Sequence, residues 1–456
     1  MGKQLQRSHR LVLVPCPYEG HLNPMLQLGT VLHFKGFSIT VAHTIYNSPN
    51  PHNLPDFSFL PMPDGLSDRG VTSMDVVGDV LAVNENCREI FQRSLEKLKE
   101  TQGEIISCII SDELMFFAED VANNLKIPSI ILRTTNAATS FARSGLVKLK
   151  EKGLLSQDTL SNELVPELYP LRFKDLLFSL SETLENFSAI VTKIYGKRAS
   201  SAIIWNTVSC LEQATLEQIQ QQCKVPIFPV GPIHMIAASN SSSLIEEDRS
   251  CLSWLDKQPH NSVIYVSNLG SLASVNEKEV TEIAWGLANS NQPFLWVIRP
   301  GSVHSSDWIE LLPKGFQDDV GDKGCIVRWA PQREVLAHPA VGGFWSHCGW
   351  NSTLESLAAG VPIICKPCFG DQKVNARYVS HVWRIGLELE ELKRRDIESA
   401  IRRLILHEDG KEMRARAKEL KEKFEVCTRK GGSSCDSLNE LVNFIMSFGT
   451  RTHLVS

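Results

Sequence analysis

Twice along this chain, short apolar runs alternate with longer stretches of helical pattern, and that alternation limits the fold more than any other feature of the sequence. The first set of runs falls at residues 10–15, 37–43, 57–60, 108–111, 129–132 and 202–205. From residue 262 the pattern restarts, with runs at 262–267, 294–299, 325–329, 341–347, 361–365 and 386–389. Runs this short and apolar read as buried strands, and a strand followed by a helix and another strand implies a parallel sheet with right-handed crossovers. After the first run, a loop through Gly20-His21-Leu22-Asn23-Pro24 leads into a helix rich in Leu26, Leu28, Val31 and Leu32. Segments 65–101 and 139–197 read as more irregular than simple crossovers, as insertions that shape a substrate pocket do.

A chain of 456 residues exceeds one ordinary core. Two domains are expected, 1–233 and 251–456, joined by a linker at 234–250 that contains the tract Ser239-Asn240-Ser241-Ser242-Ser243. Residues 394–447 read as amphipathic helix, the last part of it able to pack back on the first domain.

Charge and composition exclude several classes of function. The net charge is −5, and the densest basic cluster, Lys393-Arg394-Arg395, is flanked by Glu391 and Asp396, which reads as a solvated helix start and offers nucleic acid no surface. The apolar stretch 11–14 is cut by Pro15, too short for a secretory signal, and no run reaches the ~20 apolar residues of a membrane span. Twelve cysteines lie scattered with no disulfide spacing, so a cytoplasmic location is expected, and Cys365-x-x-Cys368 reads as packing. No G-x-G, P-loop, G-x-S-x-G, H-E-x-x-H or D-x-D occurs, and no metal site is expected.

Residues 329–372 carry the densest set of chemistry-bearing positions. Trp329-Ala330-Pro331-Gln332 opens the stretch, a buried run follows, and Ser346-His347-Cys348-Gly349-Trp350-Asn351-Ser352 breaks it with small and polar residues. Leu354, Leu357 and Ala358 then recur at helical spacing until Gly360 and Pro362, and Asp371-Gln372 ends the stretch. A strand feeding a glycine turn and a helix start directs backbone N–H groups and the positive end of a helix dipole at one spot, which suits a phosphate. The spacing of these residues resembles the signature box of the plant UDP-sugar-dependent glycosyltransferases of small molecules, and the rest of the chain is compatible with that family.

The resemblance implies a GT-B fold, in which two Rossmann-like doubly wound α/β domains face each other across a cleft. It implies a monomer that needs no cofactor, takes UDP-glucose as sugar donor and glucosylates a small hydrophobic acceptor. It implies Trp329, Ala330 and Gln332 at uracil and ribose, Glu355 on the ribose hydroxyls, and His347, Asn351 and Ser352 at the phosphates, with Ser271 reaching them from the turn after residue 267. Trp350, Asp371 and Gln372 stand at hexose-contacting positions, and Gln372 goes with glucose. Thr134 is a further candidate for the sugar.

The base is the one role that the residues themselves begin to suggest. His21 follows the first strand and Asp112 ends another, both at the carboxyl edge of a parallel sheet, where an imidazole oriented by a carboxylate can take the acceptor's proton. Read without the resemblance, His21 is as well a loop residue and Asp112 a helix cap; the pattern Pro17-x-x-Gly20-His21-x-Asn23-Pro24 matches the family's base. Ser352-x-x-Glu355 also spells a capping box, an alternative to ligand contact.

Two features depart from the family pattern. Val266-Ser267-Asn268-Leu269-Gly270-Ser271 is one residue longer than usual, so a bulge could move Ser271 from the phosphate. A UDP-sugar-binding protein with weakened or lost transfer is therefore the alternative reading. Lys366 adds a charge expected to face solvent. For the acceptor, Phe116, Phe117, Phe141 and Phe178 could line an apolar cleft, although such rings are more often core.

Overall fold

A computed structural model describes residues 9–66, 76–102, 105–151, 162–165, 168–176, 184–196, 198–237, 246–267, 269–302 and 312–451. The chain divides into two compact units, one comprising Met1–Leu154, Leu184–Leu244 and Val426–Ser456, the other Leu155–Thr183 and Ile245–Glu425.

The first unit is built on seven strands, β1 (Arg10–Val14), β2 (Ser38–Thr44), β3 (Ser58–Met62), β4 (Ile106–Asp112), β5 (Ser129–Arg133), β6 (Ala202–Trp205) and β7 (Ile227–Pro229). Their order is β3-β2-β1-β4-β5-β6-β7, and every neighbouring pair is parallel. Leu11 and Leu13 of β1 join Cys108 and Ile110 of β4 in a core that helix Glu19–Phe34 covers with Leu22, Met25, Leu26, Leu28 and Leu32. Leu438, Leu441 and Ile445 of helix Ser433–Arg451 complete the same core. Ser434 Oγ donates to the Gly231 carbonyl at 2.6 Å and seats the start of that helix.

The second unit has six strands, β8 (Val263–Ser267), β9 (Phe294–Val297), β10 (Gly324–Val327), β11 (Val341–Ser346), β12 (Ile363–Cys365) and β13 (Gly386–Glu388). Their order is β10-β9-β8-β11-β12-β13, again parallel throughout. The period of two along a strand builds two cores. Ile264 and Val266 of β8 face one with Trp296 and Trp345, and Val263 and Tyr265 face the other with Leu295, Val297 and Phe344.

One expectation is corrected, and one strand was not foreseen. Segment 65–101 is dominated by the 27-residue helix Val76–Gln102, whose buried Val80, Val83, Cys87, Phe91 and Leu95 recur three and four apart under a polar face that masked them. Segment 139–197 contains most of helix Ala137–Glu151 and all of helix Leu184–Tyr195, with the bridge between Leu164 and Arg172 and the short helix Phe173–Leu176 between them, which is less regular than a simple crossover. Strand β7 was hidden by the prolines around it, which an edge strand tolerates. Within the expected linker, residues 238–245, including the serine tract, lie outside the described residues, and Asp248 N donates to the Trp329 carbonyl at 2.8 Å. Among the described residues no helix is long and apolar enough to cross a membrane.

Because Leu441 is fully buried in the first unit, Leu441→Ala is expected to destabilise the protein by about 2 to 5 kcal/mol. Urea unfolding followed by circular dichroism measures it, and a loss below about 0.5 kcal/mol would contradict the packing of this helix.

Candidate active site

In the first sheet the strand order reverses between β1 and β4, the position at which open α/β sheets bind ligands. His21 and Asp112 come from the two sides of that reversal. Helix Glu19–Phe34 begins sooner than the sequence suggested, so His21 lies in its first turn and not in a loop. Pro24 is inside the helix, where it has no N–H to give the Gly20 carbonyl. Asp112 is the last residue of β4 and fully buried, and its Oδ1 accepts from Leu114 N at 2.9 Å. Its Oδ2 lies 2.9 Å from His21 Nδ1, and the His21 side chain is 20% exposed. With Nδ1–H directed to the carboxylate, the imidazole lone pair is on Nε2.

Thr134, just after β5, has Oγ1 2.9 Å from the same Nδ1, so the structure brings it to the imidazole. The Cys16 thiol, the His21 ring and the Asp112 carboxylate fall within 4.8 Å of one another. Burial, helped by the Asp112 charge, holds the Cys16 thiol well above its usual range, and it stays protonated.

The second sheet reverses between β8 and β11. The loop after β8 carries Gly270 and Ser271; the turn after β11 carries His347, Cys348 and Gly349. A Cβ on Gly270, whose φ is +58°, would stand 2.7 Å from His347 Nε2, and one on Gly349 2.5 Å from it. Both positions therefore need glycine for the two loops to close on the imidazole. Burial pushes the His347 pKa down to about 4. The ring is neutral near pH 7, so toward a diphosphate it offers a hydrogen bond and no charge.

The described pairing of β8 with β11 runs as far as Ser267, opposite Ser346. Asn268 itself lies outside the described residues, and Ser271 is half-buried.

Helix Trp350–Ala359 starts at the N-cap Gly349, with no side-chain cap. The capping-box alternative is thereby corrected: Ser352 and Glu355 are already inside the helix. Instead, Gln332 Nε2 donates to Glu355 Oε2 at 2.7 Å and to Ser352 Oγ at 3.0 Å, and Tyr265 O–H donates to Gln332 Oε1 at 3.3 Å. Burial raises the Glu355 carboxyl, and the Gln332 bond opposes that. Trp329 is half-buried beside the buried Ala330, and Asn351 is half-buried in the first turn of the helix.

At the end of the box, Asp371 and Gln372 open the short helix Gln372–Arg377. Gln372 Oε1 accepts from Cys368 N at 2.8 Å and Phe369 N at 3.1 Å, which leaves its amide nitrogen as the end that donates. Asn375, fully buried, donates from Nδ2 to Asp371 Oδ2 and to the Cys348 carbonyl, both at 2.9 Å. Cys348 has φ +64°, an uncommon conformation for a side-chain-bearing residue. It is held by Asn375 and by its own N–H, which donates to Ser346 Oγ at 3.0 Å. Trp350 is buried, with its ring 6.3 Å from that of Trp383.

Sequence reasoning missed Tyr265 and Asn375. Asn375 was detectable as the fourth residue after Asp371, on the same face of a helix whose start was not recognised. Lys366 was expected in solvent but is half-buried, its Nζ donating to the Glu390 carbonyl at 2.5 Å. Phe117 is core against Phe91, Phe116 and Phe141 are half-buried, and Phe178 lies outside the described residues.

A sequence model of the family described as "UDP-glucoronosyl and UDP-glucosyl transferase" matches residues 68–421. The chain is 47% identical over 456 residues to UDP-glycosyltransferase 76E1 of Solanum lycopersicum, covering 98% of this chain and 94% of that protein. It is 48% identical over 451 residues to flavonol 3-O-glucosyltransferase UGT76E12 of Arabidopsis thaliana, covering 97% and 98% respectively. Its fold is similar to that of Phytolacca americana UGT2 complexed with UDP-2fluoro-glucose and pterostilbene, with a TM-score of 0.83 at 28% identity, over 96% of this chain and 99% of that one.

The depressed His347 pKa has a thermodynamic signature. Its folded value of about 4 lies below the ordinary 6.5, so protons bind the unfolded chain preferentially. The contribution is complete above the unfolded pKa and is lost as pH falls from there toward the folded one. His347→Gln is expected to remove up to about 1.4 kcal/mol per pH unit from the fall in unfolding free energy in that window. Urea titrations of both proteins between about pH 7 and pH 4 check this; equal slopes would contradict a buried neutral imidazole.

Proposed function

The chain belongs to the UDP-glucoronosyl and UDP-glucosyl transferase family, and from that premise we propose that it transfers glucose from UDP-glucose to a hydroxyl or carboxyl group of a small hydrophobic metabolite. The products are a β-glucoside and UDP. The observation that carries the reading is the 2.9 Å contact between His21 Nδ1 and the buried Asp112 carboxylate at the reversal point of the first sheet.

His21, as general base, takes the acceptor's proton on Nε2 while the acceptor oxygen bonds to the anomeric carbon. The bond from that carbon to the UDP oxygen breaks on the opposite face, so the centre inverts. Asp112 fixes the ring tautomer and stabilises the imidazolium as it forms, and Thr134 Oγ1 lies at the same Nδ1 and can share its proton.

In the second unit, the N-terminal end of helix Trp350–Ala359 with His347, Asn351, Ser352 and Ser271 meets the diphosphate. Glu355 takes the ribose hydroxyls, and Trp329, Ala330 and Gln332 hold the base. For the ribose to reach Glu355, the Gln332 amide that now caps the carboxylate must share it or turn aside. Trp350, Asp371 and the Gln372 amide contact the hexose.

Glucose as the sugar is supported by Gln372 at the end of the box, by the relative named as a flavonol 3-O-glucosyltransferase, and by the similar fold that holds UDP-2fluoro-glucose. The acceptor is to be identified by incubating the enzyme with UDP-glucose and a panel of phenols, terpenoid alcohols and carboxylic acids, read by mass spectrometry.

With an alcohol acceptor from that panel, His21→Ala is expected to lower kcat by about 10²-fold to 10⁴-fold while the affinity for UDP is retained. Unchanged turnover would refute the base assignment.

A further inference from the structure

Residues 168–176 carry buried charges that neither the His21–Asp112 pair nor the donor contacts use. Arg377, the last residue of helix Gln372–Arg377, donates to the Pro170 carbonyl from Nε at 3.0 Å and from Nη2 at 2.9 Å. Its Nη1 donates to Glu388 Oε1 at 2.9 Å. Asp175 Oδ2 lies 3.8 Å from Arg377 Nε and is itself gripped by Arg172, whose Nε reaches Oδ2 at 2.8 Å and whose Nη2 reaches Oδ1 at 2.9 Å. Arg172 Nη2 closes the ring 3.5 Å from Glu388 Oε2.

Asp175 is 2% exposed and Arg377 8%. Salt therefore screens the ring little, and its planar, forked donors are a geometry that lysine does not reproduce. Ser380 Oγ adds a bond to Glu388 Oε1 at 2.7 Å.

The helix this ring grips runs from Gln372 to Arg377 and passes directly into the π-helical turn Tyr378–Val382, and its place in the unit is set by what its side chains bond. One side is already tied down: Asn375 bonds Asp371 and the Cys348 carbonyl. The ring holds it further along, at Arg377, where the α-helix passes into that turn. Residues 168–176 are distant in sequence from the helix and donate none of the donor contacts proposed above; what they hold is the element that presents Asp371 and Gln372.

We propose that the Arg172–Asp175–Arg377–Glu388 ring is a clasp that sets the position of Asp371 and Gln372 for the hexose, so that Arg377 and Asp175 are positioning residues for donor-sugar selection. This rests on the reading that Asp371 and Gln372 contact the hexose. Loosening the clasp leaves the nucleoside contacts of Gln332 and Glu355 in place and degrades only the fit to the sugar hydroxyls, where a displacement of about 1 Å is costly.

The test uses the 456-residue chain with Asp175→Asn and Arg377→Lys, and with Asp371→Asn as the reference. Initial rates are measured with UDP-glucose and UDP-galactose at a fixed acceptor concentration, below the melting temperature of each variant, and UDP affinity is measured by calorimetry. Both clasp variants are expected to raise KM for UDP-glucose about tenfold and to narrow the preference for UDP-glucose over UDP-galactose, with UDP affinity changed less than about twofold.

Wild-type KM and preference in both clasp variants, alongside an altered preference in Asp371→Asn, would overturn the clasp. An unaltered preference in Asp371→Asn would instead overturn the hexose reading, and the clasp's role with it. If either clasp variant does not fold, as breaking a buried pair can cause, Glu388→Gln opens the ring from β13 with little change of shape and is judged by the same measurements.

Discussion

Two strand pairings, β1 with β4 and β8 with β11, determine where chemistry can occur in this molecule. Each joins strands whose chain connections depart in opposite directions along the sheet, so the loops beyond their carboxyl ends diverge and leave backbone and side chains exposed to a ligand. In the first unit that edge receives His21 and Asp112; in the second it receives Gly270, His347 and the start of helix Trp350–Ala359. The same structural solution occurs twice with different residues, one set suited to moving a proton and the other to meeting a leaving group.

Burial decides the electrostatics at both places. Asp112 is fully buried and meets the imidazole and the Leu114 N–H; in the second unit burial pushes His347 and Glu355 toward their neutral forms. A neutral imidazole wedged between two glycines and a carboxyl already sharing a bond with Gln332 are groups arranged by packing before any nucleotide arrives. Such preorganisation is what makes hydrogen bonds effective toward a developing charge.

Much of this was legible in the sequence, for physical reasons. Strands buried on both faces are apolar throughout, so runs such as those of β4 and β8 are visible, and a signature dense in fixed offsets marks the second-unit residues. Helix Val76–Gln102 was not legible because its exposed face is polar and its buried face sparse, and β7 was masked by prolines that only its edge position permits. Tyr265 was missed because its contact with Gln332 is made across elements, and although the spacing of Asn375 from Asp371 is local, no local pattern announces its second bond, to a carbonyl 27 positions away at Cys348. The ring around Arg377 spans a still longer separation, 207 positions to Pro170.

The helix Ser433–Arg451 belongs to the core of the first unit, while everything in the second unit is encoded by residue 425. On the ribosome, the first unit must therefore wait for residues made after the whole of the second unit, which can close ahead of it. Until residues 433–451 emerge, the apolar face of the first sheet that Leu438, Leu441 and Ile445 cover stays open to solvent, so its exposure to aggregation lasts through the making of the whole second unit.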